Sequence, residues 1–437
     1  MIFNLRKLVF LILGFSSKKS KKEINKLNNL SISEFKTWHI NQRKKIVKHH
    51  YDNNNFYNNL CKSGIELEWD SLPVIKKSDF QRPLKEIFSN GYNRKNTYVS
   101  NTSGSSGVPM FFAKSKHSHS LTWEIIKQRY RILGLKDNSL QARFYGIPLN
   151  KASYFLEKLK DKVLNRYRFV IFDMSEKKLI KVLDKFKKEK FEYIYGYTNS
   201  LILFARFLIR KNIILKKECC NTLKICITTS EQCTEEDKLI LERAFGIPII
   251  NEYGASEIGL IAINDNLGKW IISNELIHIE IVDDNYKAVP DGSIGNILLT
   301  TLHNRAMPFI RYEVGDIGSI KRNNNCKYDE LLTLNGRLND LAKLPSGKSV
   351  PGFTLYYVSR SILEKSGILK EYVIKQISLN EFLFEVVTDQ PLDEKVIELI
   401  KNTMYEYLEP GINIIIKRVE FIDRQSSGKL KHFQSLI

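Results

Sequence analysis

The stretch YVSNTSGSSGVPMFF, residues 98–112, holds two glycines, four hydroxyl side chains and one amide within positions 101–107. It begins with the β-prone pair Tyr98-Val99. Glycine lets successive backbone N–H groups converge on one point, and serine and threonine add further donors, so such a loop can surround a phosphate group. The stretch therefore predicts a strand that runs into a phosphate-binding loop.

This loop is not of the Walker type, which requires the pattern GxxxxGK[ST]. No lysine follows its last glycine, Gly107, and none follows Pro109. A second candidate, PSGKS at 345–349, ends like a Walker loop but has Ala342 where the first glycine is required. The sequence thus excludes a P-loop NTPase.

Four more segments follow in a fixed order, and each carries a polar group suited to nucleotide chemistry. They are NEYGASEIG (251–259), with Ser256 and Glu257 after a tight turn at Gly254; MPFIRYEVGDIG (307–318), which ends a strand on Asp316; NGRLND (335–340), at an interdomain junction; and RQSSGKLKHF (424–433), with Lys429 in a loop. Alone, Asp316 could cap a turn and Glu257 a helix. The joint order favours the functional interpretation.

The distribution of periodic segments predicts an α/β protein with two domains. Residues 16–60 have a helical pattern, and from Tyr98 to Ile320 short β-rich runs alternate with helical stretches, which is typical of an α/β domain with a substantial sheet. The tail has the order helix, strand, strand, helix, strand. We expect a large sheet-containing N-terminal nucleotide-binding domain, residues 1–336, and a small mobile α+β C-terminal domain, residues 337–437.

The chain is basic, with a formal net charge of +20 from 68 Lys and Arg against 48 Asp and Glu. Residues 1–50 and residues 151–220 each contribute +10. A basic surface can attract nucleic acid, an anionic lipid surface, an acidic protein or a polyphosphorylated small molecule. We find no zinc finger, aromatic RNA-binding motif or arginine-rich arm, so we expect no nucleic-acid partner.

Three further features bear on location and metal binding. The six cysteines show neither a CxxC pair nor a metal-ligand ladder, which indicates a reducing cytoplasm. The apolar run 8–15 is too short to span a bilayer; together with the lysines of residues 1–22 it could contact a membrane surface, or pack on the protein's own core. His117 and His119 have no Cys or carboxylate nearby in sequence, which indicates a surface turn rather than a metal site.

Taken together, these motifs resemble the adenylate-forming superfamily of acyl-CoA synthetases and ligases. The chain is most similar to the phenylacetate-CoA ligase branch, which includes capsule-biosynthesis proteins of the CapK type, and the similarity covers nearly its whole length. The segments NNNFYNNLCKSGIELEWDSLPVIKKSDF and ITTSEQCTEEDKLILERAFGIPIINEYGASEIG also resemble that branch.

The resemblance implies an AMP-forming ligase that uses ATP and Mg²⁺. A carboxylic acid would be activated as an acyl-adenylate and then transferred to a thiol, of coenzyme A or of carrier-protein phosphopantetheine, or to an amine. The implied phosphate-binding residues are Thr102, Ser103, Gly104, Ser105, Ser106 and Gly107. The implied adenine-site residues are Ser230, Glu231, Glu252, Tyr253 and Gly254.

The other implied roles fall on single residues. Glu257 would be the magnesium ligand, and Ser256 would bond the α-phosphate or the substrate carboxylate. Asp316 would accept hydrogen bonds from both ribose hydroxyls. Arg337 would lie at the domain junction, with Asn339 or Asp340 as the hinge, and Lys429 would stabilise charge between the carboxylate and the α-phosphate.

The sequence leaves the acid, the acceptor and the oligomeric state open. Tyr145, Tyr195 and Tyr197 could line a pocket for an aromatic or a small polar acid, or be ordinary wall residues. The basic surface suits coenzyme A or an acidic carrier protein, and the resemblance suggests surface-polysaccharide or secondary metabolism. The chain could be a monomer or a dimer. The alternative function is a catalytically silent, membrane-associated scaffold that retains the fold.

Overall fold

The structure is a computed structural model. It describes residues 14–15, 17–61, 69–102, 110–147, 151–171, 174–337, 341–347, 349–351, 355, 369–388, 390–422 and 433–437. The α-helices of these residues are α1 Ser17–Asn29, α2 Ile32–Asn53, α3 Asn55–Leu60, α4 Lys116–Ile132, α5 Lys151–Val163, α6 Glu176–Lys188, α7 Thr198–Arg210, α8 Leu215–Glu218, α9 Glu235–Phe245 and α10 Glu394–Tyr407.

Strands alternate with these helices between residues 111 and 255, and further strands follow one another directly after that. In chain order they are β1 Thr97–Asn101, β2 Phe111–Ser115, β3 Gln141–Tyr145, β4 Arg166–Val170, β5 Tyr193–Tyr197, β6 Ile225–Thr229, β7 Ile249–Ala255, β8 Gly259–Asn264, β9 Trp270–Ile272, β10 Ile277–Val282, β11 Gly295–Thr301, β12 Tyr312–Lys321, β13 Glu330–Arg337, β14 Leu341–Lys343, β15 Ser349–Pro351, β16 Leu369–Ser378, β17 Glu381–Thr388, β18 Asn413–Arg418 and β19 Phe433–Ser435.

Local sequence signals fix several of these boundaries. Helix α2 begins after Ser31, whose hydroxyl accepts from the Glu34 N–H while the Glu34 carboxylate accepts from the Ser31 N–H, a complete capping box. Helix α9 begins after Thr234 with the same arrangement and ends at Gly246, which has the left-handed φ of +68° that glycine adopts without steric cost.

The largest sheet of the described residues has eleven strands. Its strand order is β10-β11-β12-β13-β9-β8-β7-β6-β5-β3-β4. Strands β3 to β7 pair in parallel, and β7, β8 and β9 continue antiparallel. All five residues of β6 are buried, as expected of a central parallel strand with both faces covered. The predicted α/β class is confirmed.

One side of the parallel strands packs against α6, α7 and α9 in a phenylalanine-rich core. Phe144 is fully buried, and its ring lies 4.9 Å from Phe169 and 5.5 Å from Phe204, measured between centroids. Burial of a side chain of this size contributes roughly 1.5–3 kcal/mol to the free energy of folding. This core holds the strand ends that carry the candidate site.

The carboxy-terminal part contains its own four-stranded sheet, with the order β18-β17-β16-β19. Strand β17 alternates strictly between partly exposed and buried residues, and its Phe382, Phe384 and Val386 pack with Met404 of α10. The predicted strand, strand, helix, strand order is confirmed for β16, β17, α10 and β18. The predicted helix that precedes them, residues 353–367, lies outside the described residues apart from Leu355.

The chain divides into two compact units. The first comprises Met1–Val314 and Ser319–Thr333, and the second comprises Gly315–Gly318 and Leu334–Ile437. The predicted roles of residues 1–336 as the nucleotide-binding domain and of 337–437 as a mobile lid remain predictions. Of the helices described, none is both long and apolar enough to cross a bilayer.

Candidate nucleotide and acid site

The predicted phosphate loop is the connection of a β-hairpin. Strands β1 and β2 pair antiparallel, with Asn101 opposite Phe111. The Thr102 N–H donates to the Met110 carbonyl at 2.9 Å, and the Thr102 hydroxyl oxygen accepts from the Met110 N–H at 3.1 Å. These two bonds close the base of the loop, so Thr102 has a structural task beside its predicted phosphate contact. Ser103, Gly104, Ser105, Ser106 and Gly107 lie outside the described residues.

The segment 251–259 forms the end of β7 and the turn into β8. Gly254 lies within β7, and a Cβ atom placed there would come within 2.7 Å of the Gly259 carbonyl oxygen. The expected tight turn at Gly254 is therefore wrong: the turn comprises residues 256–258 and is closed by a 3.1 Å bond from the Ile258 N–H to the Ala255 carbonyl. Gly254 is needed for the close approach of β8, and Ser256 and Glu257 lie inside the turn.

Glu257 is held in place by two neighbours. It is 8% exposed, and its Oε1 accepts from the Tyr312 hydroxyl at 3.1 Å. The second neighbour is Lys114 of β2, which is 4% exposed and lies close enough for the two charges to interact. Burial lowers the pKa of Lys114 to about 8, although the Glu257 carboxylate opposes this shift.

Lys114 was not among the predicted site residues, because a lysine was expected only directly after Pro109. The available signal was a lysine in FFAKS, where the alternation of β2 places it among buried residues. Its ammonium would lie 3.7 Å from a Cβ atom on Gly259. Lys114 therefore joins the hairpin that carries the phosphate loop to the turn that carries Glu257.

Ser230 and Glu231 follow β6 at the carboxyl end of the parallel strands. Ser230 has a left-handed φ of +69° and is exposed, and its Oγ lies 3.4 Å from the Tyr145 hydroxyl. The Glu231 carboxylate accepts from the Asn199 N–H at 2.8 Å, at the N-terminus of α7, where the helix dipole favours a negative charge. This strand edge is where open α/β sheets bind ligands.

Glu252 and Tyr253 lie on opposite faces of β7, because successive side chains of a strand alternate. The Glu252 carboxylate accepts from the Tyr130 hydroxyl at 2.7 Å and from the Tyr195 hydroxyl at 2.9 Å. Burial raises the pKa of Glu252, although these hydrogen bonds oppose the shift. The structure therefore places the Glu252 side chain toward α4, away from the face that carries Tyr253.

A polar cluster fills the space between α4 and the sheet beside Glu252. The Arg143 guanidinium carbon lies 4.0 Å from the ring centre of Tyr145 and 4.8 Å from that of Tyr195. The rings of Tyr145 and Tyr197 are 4.0 Å apart. A cavity of about 130 Å³ next to this cluster includes Tyr130, Arg143, Tyr195 and Glu252 in its lining. Tyr145, Tyr195 and Tyr197, which the sequence suggested as pocket residues, are thus brought together. They surround Arg143, a cation that was not predicted there.

The remaining predicted residues are described only in part. Asp316 is 8% exposed and lies inside β12, so the expectation that it ends a strand is wrong; the strand continues to Lys321. Arg337 is the last residue of β13, and the structure describes its backbone but not its side chain. Asn339, Asp340 and Lys429 lie outside the described residues.

Glu257 has the chemistry of a magnesium ligand. The Tyr312 hydroxyl occupies one lone pair of its Oε1, which leaves the other carboxylate lone pairs for a cation. Magnesium is usually held by one or two carboxylates together with phosphate oxygens and water. A single buried carboxylate fits that pattern.

A further cavity, larger than the one beside Glu252, lies apart from these residues. It measures about 410 Å³, and its lining includes Arg43, Trp69, His278 and Glu280. None of the predicted site residues that the structure describes contributes to it. Size alone therefore does not locate the candidate site.

The interpretation of His117 and His119 as a surface turn is wrong. Both lie in the first turns of α4, which begins after Ser115. His119 packs against Tyr98 with ring centres 4.0 Å apart and accepts from the Trp123 indole N–H. His117 contacts a carboxylate, Glu23, at 3.1 Å. The sequence neighbours of His117 do not reveal this carboxylate, because it comes from α1, some ninety residues earlier.

Comparison with curated proteins finds similarity over most of the chain. The chain is 22% identical to Protein CapK of Staphylococcus aureus over 431 residues, which cover 94% of this chain and 90% of that protein. It is 24% identical to a phenylacetate-coenzyme A ligase of Thermus thermophilus over 298 residues, 63% of each chain. No protein-family model matches the chain.

Solved structures of adenylate-forming ligases share its fold. A 2-hydroxyisobutyryl-CoA ligase in complex with an acyl-adenylate superposes with a TM-score of 0.67 at 16% identity, covering 91% of this chain and 88% of that chain. An anthranilate CoA ligase superposes with a TM-score of 0.53 at 18% identity, covering 78% and 66%. The resemblance inferred from the motifs is confirmed, and so is the expected architecture of a large N-terminal and a small C-terminal domain.

Proposed function

We propose that this chain, which has the fold of the adenylate-forming superfamily and resembles it in sequence, is an ATP-dependent, AMP-forming acid ligase. In the first half-reaction an oxygen of the substrate carboxylate attacks the α-phosphorus of ATP, and the bond to pyrophosphate breaks. In the second, a nucleophilic acceptor attacks the acyl carbon and releases AMP. The coarser part of this proposal, an adenylate-forming acid ligase, is supported by the comparisons.

The observation that carries the proposal is the placement of Glu257. Its buried carboxylate lies in the β7–β8 turn and interacts with Lys114 of the hairpin whose connection is the phosphate loop. Attack of a carboxylate on ATP brings anions together, so the site has to neutralise charge and align the reactants. A cation and a metal-binding carboxylate next to a glycine-rich hairpin meet that need.

The proposed roles follow the resemblance, with two changes. Thr102, Ser103, Ser105 and Ser106 and the amides of Gly104 and Gly107 hold the β and γ phosphates, and Lys114 adds a positive charge beside them. Glu257 would hold magnesium, which would supply positive charge to the phosphates. Ser256 bonds the α-phosphate or the acid, Asp316 the ribose hydroxyls, and Lys429 the charge that develops between carboxylate and phosphate.

The second change concerns the adenine site. Ser230, Glu231, Tyr253 and Gly254 keep the predicted role, with Arg337 at the junction. Glu252 is assigned instead to the acid pocket, because its carboxylate is bonded by Tyr130 and Tyr195. Tyr145 and Arg143 lie against the ring of Tyr195. This polar cluster occupies the space between α4 and the sheet, so it favours a small acid with polar groups over a long acyl chain.

For the acceptor we propose the thiol of coenzyme A, with carrier-protein phosphopantetheine as the alternative thiol. The similar proteins include phenylacetate-coenzyme A ligases, and the basic segments of this chain suit the phosphates of coenzyme A. An amine acceptor is the other alternative, since an amide bond synthetase shares the fold with a TM-score of 0.52. A role in surface-polysaccharide metabolism, which the resemblance to capsule-biosynthesis proteins implies, is kept as part of the proposal.

Pyrophosphate exchange tests the first half-reaction. Purified protein with Mg²⁺, ATP and labelled pyrophosphate is assayed against short hydroxy, amino, dicarboxylic and aromatic acids, with Lys429→Ala as the matched variant. We expect acid-dependent exchange in the wild type and its loss in Lys429→Ala. Exchange with none of the acids, and no difference between the two proteins, would contradict the proposal and favour the silent scaffold.

A further inference from the structure

A Glu-His-His cluster lies outside the residues assigned to catalysis. Glu23 comes from α1, His117 from the first turn of α4, and His303 from the segment after β11. Their ligand atoms all lie within 4.8 Å of one another. The Glu23 Oε2 is 3.1 Å from the His117 Nε2, and the Glu23 Oε1 is 3.7 Å from the His303 Nδ1.

The hydrogen bonding of His303 determines which of its nitrogens carries the proton. The His303 Nε2 lies 2.9 Å from the Glu275 main-chain carbonyl oxygen, an acceptor, so Nε2 must donate. In the neutral ring Nδ1 then has no proton and offers a lone pair. The His303 side chain is only 6% exposed, and burial disfavours a charged ring.

This tautomer leaves two acceptors facing each other. The His303 lone pair at Nδ1 and the Glu23 carboxylate are 3.7 Å apart, and neither brings a proton to the contact. Such an arrangement is unfavourable unless a cation lies between the two atoms. A bond from the other ring nitrogen of a histidine to a main-chain carbonyl is also how metal-ligating histidines are oriented.

The spacing suits a transition-metal ion. In a tetrahedral site with metal–ligand distances of about 2.0–2.1 Å, neighbouring ligand atoms are roughly 3.3 Å apart. The two Glu–His separations, 3.1 and 3.7 Å, bracket that value, and the remaining separation, between His117 and His303, is at most 4.8 Å. Two imidazoles and one carboxylate are ligands that zinc accepts, and a fourth position is left for water. The side chains of His117 and Glu23 are 33% and 32% exposed, which provides a path for entry.

We propose that Glu23, His117 and His303 form a binding site for a divalent transition-metal ion of the zinc class. The ion fastens α1 to α4 and to the segment after β11. Helix α1 otherwise buries only Ser20, Ile24 and Leu27, and its sequence SKKSKKEINKLNN is strongly basic. One ion that contacts three elements therefore adds materially to the attachment of this helix. The site is independent of the proposed ligase reaction.

Zinc binding to the whole chain tests the proposal without an activity assay. Protein freed of metal with a chelator is titrated with Zn²⁺ by calorimetry, and its melting temperature is measured with and without the ion. We expect one Zn²⁺ per chain and a rise of several degrees. Replacement by Co²⁺ should give the intense visible absorption of a tetrahedral site.

Variants distinguish this site from adventitious binding. Glu23→Gln and His117→Asn change partly exposed side chains and should keep the fold, yet each should weaken Zn²⁺ binding at least tenfold and remove the shift in melting temperature. The controls Glu235→Gln and His49→Asn, elsewhere on the surface, should bind as the wild type does. Equal Zn²⁺ binding by the wild type and the Glu23→Gln/His117→Asn double variant, or no binding by the wild type, would overturn the proposal.

Discussion

The Tyr312 hydroxyl donates a 3.1 Å hydrogen bond to the Glu257 carboxylate, although 54 residues separate the two in the chain. Tyr312 is the first residue of β12, and Glu257 lies in the turn between β7 and β8. The bond fixes the orientation of a carboxylate that is buried and that we assign to magnesium. Removal of the carboxylate should therefore cost far more than removal of the hydroxyl that orients it.

We predict that Glu257→Gln lowers pyrophosphate exchange on the order of 10²-fold, because a charged ligand at the phosphates is lost. Tyr312→Phe removes one hydrogen bond, worth about 0.5–1.5 kcal/mol, and should lower exchange only about 2- to 10-fold. Both rates are measured at saturating Mg²⁺ with circular dichroism as the check on folding. Equal effects of the two substitutions would contradict the assignment of Glu257.

Lys114 should make stability depend on alkaline pH. Its folded pKa is about 8, lowered from an ordinary value of 10.5, so between pH 8 and 10.5 the unfolded chain binds more protons than the folded one. The free energy of unfolding therefore rises with pH across this window, by up to about 3 kcal/mol. In Lys114→Met this rise should disappear, and the variant should be more stable than the wild type at pH 7.

Urea unfolding from pH 7 to 10.5 measures this difference. The control is Lys48→Met, whose exposed side chain should leave the pH profile parallel to that of the wild type. We also expect Lys114→Met to bind ATP more weakly, since the proposal places its charge beside the phosphates. If the pH profile of Lys114→Met runs parallel to that of the wild type, the predicted rise in the free energy of unfolding does not come from the buried ammonium of Lys114.

Arg143 should determine which acids are accepted without affecting ATP. We predict that Arg143→Leu lowers exchange at least tenfold with acids that carry a second polar group, whereas the KM for ATP changes less than about twofold. The control is the exposed Arg210→Leu on α7. An unchanged acid profile in Arg143→Leu would place the acid pocket elsewhere, while exchange itself would still support the ligase.

The phenylalanine core behind the site should dominate the stability of the first unit. We predict that Phe144→Ala lowers the free energy of unfolding by about 3–5 kcal/mol, because it leaves a cavity against Phe169 and Phe204. Phe155→Ala, at a side chain that is 72% exposed, should change it by less than about 0.5 kcal/mol. Denaturant titration of both variants makes the comparison, and similar losses would mean that the core assignment is wrong.

The order of elements could be read from the sequence because periodicity and turn residues are local properties. The alternation of strands and helices, the helical N-terminal region and the compact tail are each encoded within a few neighbouring residues. The ordered motifs likewise pointed to a resemblance to the adenylate-forming superfamily, which the comparisons support. The hydroxyl- and glycine-rich stretch 101–107 was correctly placed after a strand, since the β-prone residues before it and the apolar residues after it form a hairpin.

Only the tertiary structure decided which distant side chains meet. The partners of Glu257 are Lys114 and Tyr312, and neither position shows in the sequence that it faces this turn. Glu252 and Tyr253 are adjacent in the chain but separate in space, because a strand sends successive side chains to opposite faces. The carboxylate beside His117 comes from α1, so a search among sequence neighbours could not find it.

The sequence by itself thus determined the fold class, the order of most elements and the resemblance to the adenylate-forming superfamily, because these depend on local pattern. The tertiary structure decided the environment of each charge: the burial of Lys114, the polar cluster around Glu252 and the grouping of Glu23 with two histidines. Burial and charge interactions depend on distances between residues remote in the chain, and packing alone sets those distances.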